Sequence, residues 1–168
     1  MRIEPARSDD IAVYVRFAEA AQAMLRERGL AQWVPAAHAD YRRTIETQQA
    51  SGSLFGAYDE TGPLAFFVVT DTPSAWWPRD AVHAVYLSGI VVSDAARGRS
   101  VGHAIVAWTT ARAEVVRLDC HHGNDWLRNY YENLGFVLRG IVEQHPGYDG
   151  CLYEWRGAKV PGTIAPSQ

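Results

Sequence analysis

The stretch that decides the fold is LSGIVVSDAARGRSVG, residues 87–102, where strand-forming apolar residues give way to a loop rich in Gly and Arg and then to a helical pattern. A strand, a basic glycine loop and a helix start, in that order, can hold a phosphorylated ligand. The unpaired N–H groups of a helix N-terminus, the positive end of its dipole and the guanidinium groups of Arg97 and Arg99 are expected to converge on one small volume.

The strand that enters this loop reads as 82–92, and the isolated Gly89 within it signals a bulge or a close approach by backbone or ligand. Beyond the loop, Val101, Ile105, Trp108, Thr109 and Arg112 keep helical spacing to about Glu114, and 115–120 is a further strand. Residues 124–134 are helical again, with Trp126, Leu127, Tyr130, Tyr131 and Leu134 on the apolar face and Gly135 at the stop. Strands 136–145 and 151–156 follow, joined by the turn residues 146–150.

Working back towards the N-terminus, 54–58 and 64–70 are strands of a hairpin, and 71–80, with Trp76 and Trp77, is a loop that tucks aromatic surface inward. Residues 2–6 are extended. Ser8, Asp9 and Asp10 begin a helix whose Ile11, Tyr14, Ala18 and Leu25 share one face and whose end is Gly29. Residues 30–37, with Trp33 and Pro35, form a covering loop before a largely polar helix over 38–49. The element order β, α, α, β, β, β, α, β, α, β, β mixes hairpins with a parallel crossover, so the sheet is mixed. A single domain over 1–157 and a flexible tail over 158–168 are expected.

Composition narrows the function. With 48% hydrophobic and 21% charged residues the 168-residue chain is an ordinary globular protein. A formal net charge of -3 gives no general drive towards nucleic acid or anionic membrane, so neither is an expected partner. Cys120 and Cys151 lack metal-site spacing and read as buried thiols; no metal is expected. No run approaches the ~18 apolar residues of a membrane span, and a cytoplasmic protein is expected.

Two motifs resemble the GNAT superfamily of acyl-CoA N-acyltransferases. RGRSVG (97–102) after IVV is similar to its loop of Arg or Gln, two residues, Gly, one residue, then Gly or Ala, and NDWLRNYYENLGF (124–136) resembles the helix ending in Tyr, three residues, Gly-Phe. Ser100 stands where the family has its internal glycine, and Asp94 where a proline commonly precedes the loop. The resemblance implies the GNAT fold, an α/β (α+β) architecture with a seven-stranded, mostly antiparallel mixed sheet, four helices, and a central parallel pair of strands that splay apart.

It also implies acetyl-CoA as cosubstrate and transfer of the acyl group to a primary amine of a small molecule by direct attack. Ile90, Val91 and Val92 would pair with the pantetheine arm, an N–H of Val91 or Val92 polarising the thioester carbonyl. Arg97, Gly98, Arg99, Ser100, Val101, Gly102 and His103 would hold the pyrophosphate. Asn124 would contact the arm, or serve as helix N-cap, or both. Tyr131 would protonate the leaving thiolate, although an aromatic at this spacing can equally fill the core, as Tyr130 would. For the general base Glu143 is put forward, with His145, His121, His122, His83, Tyr86, Ser88 and a water chain open beside it. Trp33, Trp76 and Trp77 are candidates for the acceptor pocket. A non-catalytic acyl-CoA-binding module and a carrier-protein or other activated donor are the alternatives, and exposed strand edges could pair two copies as a homodimer.

Overall fold

The computed structural model describes residues 1–30 and 38–157; Trp33 and the tail 158–168 lie outside the described residues. Within them the chain runs β1 (Arg2–Pro5), α1 (Asp10–Glu27), α2 (His38–Ala50), β2 (Leu54–Asp59), β3 (Gly62–Thr70), β4 (Val85–Val92), α3 (Val101–Thr110), β5 (Val115–His121), α4 (Asp125–Asn133), β6 (Val137–His145) and β7 (Tyr148–Arg156). The seven strands form one sheet in the order β1-β2-β3-β4-β5-β7-β6. Only β4 and β5 pair in parallel, and the expected GNAT architecture is present.

The sheet is covered on both faces, which is why β3 reads as the continuous apolar run Leu64 to Val68 rather than as an alternation. Phe67, Leu87, Leu118 and Cys120 face one core with Val101 and Ile105 of α3 and Tyr131 of α4. Phe66, Val68 and Val91 face the other with Tyr14 and Ala18 of α1 and Ile45 of α2. Among the described residues no helix is long and apolar enough to cross a membrane.

Several element ends differ from the sequence reading. α1 has no side-chain cap from Ser8 or Asp9; the buried Asp10 instead accepts from the Arg7 N–H at 2.8 Å and the Tyr58 hydroxyl at 2.7 Å, because β2 offers it a donor inside the fold. β4 starts at Val85 rather than 82, since Val82 and Ala84 pack with Trp77 instead of pairing. α3 stops at Thr110 rather than near Glu114, and β7 begins at Tyr148 because Gly147, at φ +78°, lets the chain reverse in a tighter turn.

Gly89 is the bulge. The pairing of β3 with β4 shifts register at this point, and Gly89 takes φ +59°. Its carbonyl accepts from the buried Tyr14 hydroxyl at 3.1 Å, and a Cβ at Gly89 would lie 2.8 Å from that oxygen. Left-handed backbone and close approach therefore both require glycine.

A buried charge network ties the 71–84 connection to the sheet. Arg117, on β5, donates from Nε to Glu154 at 2.8 Å and from both terminal nitrogens to Asp80, at 3.0 and 2.7 Å, while its guanidinium lies 4.5 Å from the Trp77 ring centre. Arg139 and Arg156 also bond Glu154. Burial alone would push the Glu154 carboxyl up, but bonds from Arg156, Arg139 and Arg117 outweigh it and hold the group at about 2.

Gly89→Ala is expected to destabilise the protein by about 2 kcal/mol or more, a left-handed Cβ alone costing about 1–2 kcal/mol, against about 1 kcal/mol for Tyr14→Phe. Urea denaturation reads both, and an unchanged midpoint for Gly89→Ala would remove the bulge from its role. Because the folded Glu154 pKa lies below its unfolded value, its contribution is full above about pH 4.5 and lost as pH falls towards 2. The stability gap between wild type and Glu154→Gln should therefore narrow across that window in pH-dependent melting.

Candidate active site

β4 and β5 share only two paired positions, Val85 with Val116 and Tyr86 with Arg117. Beyond them the strands part, and the edge of β4 facing β5 runs on through Ile90, Val91 and Val92 without a strand partner. A cleft of about 880 Å³ fills the gap, roofed by α1 and closed at its far end by the starts of α3 and α4. Ile90, Val91, Val92, Arg97, Gly98, Ser100, Val101, Gly102, His103, Asn124 and Tyr131 all line it.

The loop supplies donors rather than side-chain charge. Gly98 at φ +75° and Ser100 at φ +57° are both left-handed, and Ala104 makes the first helical bond of α3, to Ser100 O. The N–H groups of Gly98, Ser100, Val101, Gly102 and His103 have no acceptor among the described residues and are available to an anion. Ser100 is the one non-glycine residue in the left-handed region among the described residues. It occupies the position where the sequence motif expects glycine.

The arginines depart from expectation. Arg97 lines the cleft while its guanidinium holds Asp94 at 2.8 Å, so the nearby carboxylate is neutralised by its own loop. Arg99 is turned out of the cleft between the two left-handed residues and pairs with Asp59 at 3.0 Å. Bonds from the Thr61 hydroxyl and N–H, and then from Arg99, hold the Asp59 carboxyl at about 2.

Tyr131 is buried on α4, packed against Phe136 and Tyr153, and no hydrogen bond to its hydroxyl forms among the described residues. Burial first, then the neighbouring Cys120, Tyr130 and Asp119, raises its pKa well above the usual phenol value, so the proton stays on at neutral pH. Asn124 caps α4 through its Oδ1, which accepts from the Leu127 N–H at 3.1 Å, and lines the cleft as well.

The base candidates are mostly elsewhere. Glu143 is exposed on β6, outside the cleft, where its carboxylate faces the Gly147 N–H at 3.4 Å across the β6–β7 turn; the register of that edge hairpin carries it away from β4. His121 and His145 lie against the Tyr148 ring at 4.6 and 4.5 Å. His122 contacts the Cys151 sulfur at 3.3 Å, and the Tyr86 hydroxyl accepts from Arg117. Trp77 is buried against Tyr86 and Arg117, and Trp76 is exposed outside the cleft lining. Ser88 alone among the base candidates lines the cleft.

Asp119 was not legible as a site residue, yet it lines the cleft from β5. Its signal is a carboxylate in the strand run VVRLDC, two residues from Arg117 and hence on the same face. Burial raises its pKa, offset in part by a hydrogen bond from Gln144. Tyr130 also lines the cleft, its hydroxyl buried without a partner among the described residues and its ring stacked on Trp126.

A family model described as acetyltransferase (GNAT) matches residues 17–136. The chain is 25% identical over 126 residues to an uncharacterized N-acetyltransferase, YesJ, of Bacillus subtilis (strain 168), covering 69% of this chain and 70% of that protein. The crystal structure of a GNAT-family acetyltransferase from Streptococcus agalactiae 2603 superposes with a TM-score of 0.82 at 19% identity, covering 94% of this chain and 96% of that one. A chain of the crystal structure of the NatC complex bound to Gag peptide and CoA superposes with a TM-score of 0.63 at 15% identity, covering 94% of this chain and 98% of that one.

Ser100→Gly is expected to raise stability by about 0.5–1 kcal/mol, the relief of left-handed strain exceeding the added chain entropy. A rise in melting temperature checks it; a fall would show that the serine hydroxyl itself holds the loop.

Proposed function

We propose that this chain, which belongs to the GNAT acetyltransferase family, transfers the acetyl group of acetyl-CoA to a primary amine of a small molecule by direct attack. The observation that carries the reading is the cleft itself. It joins an unpaired strand edge to a loop with five open N–H groups, the complement of an extended amide arm ending in a pyrophosphate.

In this reading the pyrophosphate sits on the N–H groups of Gly98, Ser100, Val101, Gly102 and His103, with Arg97 beside it. The arm lies along Ile90, Val91 and Val92. A neutral amine attacks the thioester carbon, and an N–H of Val91 or Val92 stabilises the oxyanion that forms. The C–S bond then breaks, and the thiolate takes the proton of Tyr131. Burial raises the phenol pKa, so the hydroxyl still carries its proton when the thiolate leaves.

Acetyl-CoA at millimolar concentration is expected to raise the melting temperature of both the wild type and Tyr131→Phe, since ligand binding stabilises the native state. Thiol release with an amine acceptor should fall at least about 100-fold in Tyr131→Phe, the scale of positioned acid catalysis. Equal thermal shifts with equal turnover would take Tyr131 out of the mechanism, and no shift in the wild type would defeat the donor assignment.

A further inference from the structure

The cleft carries an aromatic ledge for which acetyl transfer itself has no use. Trp126, in the first turn of α4, is 72% exposed, the most exposed large apolar side chain among the described residues. It is nonetheless seated firmly. Its ring lies flat on that of Tyr130, one helical turn further on, with centroids 5.5 Å apart and planes 9° from parallel. Tyr130 is braced in turn against the Tyr131 ring, edge to face at 5.4 Å. One face of the indole is therefore covered by tyrosine, and the other is offered to the cleft that both residues line. A ring held ready in this way is a binding surface whose ordering cost has already been met in folding.

The same pair adjoins the open loop. A Cβ at Gly102, in the first turn of α3, would lie 3.2 Å from the Tyr130 hydroxyl. That hydroxyl is buried and has no hydrogen-bond partner among the described residues, and burial raises its pKa, so it keeps its proton. It is a donor without an acceptor, placed beside the open N–H groups of Gly98, Ser100, Val101, Gly102 and His103. An anion seated on those groups supplies the missing acceptor. A phosphate donor at one end and a flat apolar ring at the other match a nucleotide, whose phosphates are joined through a sugar to a planar base.

We propose that Trp126 and Tyr130 form the nucleotide-recognition end of the donor site, the free face of Trp126 stacking the purine base and the Tyr130 hydroxyl donating to a phosphate oxygen beside Gly102. The inference rests on the acetyltransferase reading above and goes beyond it, because it separates two donors that carry the same thioester arm. CoA ends in a nucleotide. The phosphopantetheine arm of a carrier protein has a phosphate but no base, so it engages Tyr130 and leaves Trp126 bare. Trp126 is thus the residue that selects the nucleotide-bearing donor, while Tyr130 both seats the indole and holds the phosphate common to the two.

Isothermal titration calorimetry on the intact chain tests this with three ligands: CoA, free phosphopantetheine, and the same arm on a carrier protein. The wild type should bind CoA at least about 10-fold more tightly than either of the others, the scale of one base stacked on one aromatic ring. Trp126→Ala should cut CoA affinity about 10-fold and leave that for phosphopantetheine as it was, whereas Trp126→Phe, which keeps a ring on Tyr130, should retain most of the preference. Tyr130→Phe, which keeps the stack and removes the hydroxyl, should weaken CoA and phosphopantetheine by the same factor, about 10-fold. A ledge that merely supports α4 would not distinguish the ligands in this way. Equal affinity of the wild type for CoA and phosphopantetheine, a Trp126→Ala loss shared by both, or tightest binding to the carrier protein would each overturn the proposal. A wild type that binds none of the three would instead defeat the acetyltransferase reading on which it rests.

Discussion

The hydrogen bond from the Tyr14 hydroxyl to the Gly89 carbonyl is the constraint on which the cleft depends. It couples α1 to the bulge in β4, and the bulge redirects the strand after its two-residue pairing with β5. The Tyr41 hydroxyl of α2 donates to the Tyr14 hydroxyl oxygen at 3.3 Å, so α2 reaches this point of β4 through Tyr14. Burial raises the Tyr14 pKa well above the usual phenol range, so the hydroxyl keeps the proton it donates. The bond itself contributes only about 1 kcal/mol, but leaving the buried carbonyl without a partner costs its desolvation too.

Beside the splay lies a buried charge network whose members engage one another. Arg117 and Glu154 are both nearly inaccessible, and each is satisfied by several partners rather than one. A buried pair is tolerated when the remaining donors and acceptors are matched in this way, since the desolvation cost is otherwise larger than the attraction. Arg117 is committed to Asp80 and Glu154, Arg97 to Asp94 and Arg99 to Asp59, while Asp119 accepts from the Gln144 amide. The two faces of β5 thus separate a carboxylate from the phenol of Tyr131 across one strand.

Much of this was legible along the chain. Local chemistry sets element type, so the strand, loop and helix of 87–102, the helix ending before Gly135 and the bulge at Gly89 could be read from short windows. The loop residues other than Arg99 line one cleft with Tyr131. Element ends were less legible, because Val82 packs rather than pairs and Gly147 tightens a turn, and neither choice is encoded within a few residues. Arg99 and Glu143 lie outside the cleft for a related reason: a left-handed loop and an edge-hairpin register direct those side chains, and residue type does not.

The sequence by itself determined the element order, the parallel crossover, the position of the glycine bulge and the motif pair that places the chain among GNAT acetyltransferases, because each rests on spacing within a single segment. Only the tertiary structure decided which partners the charged groups meet. Asp119 meets Gln144 across 25 residues of chain through the space left at Gly150, and Arg117 finds Glu154 and Asp80 each across 37. Partners so far apart in sequence are brought together by strand order alone.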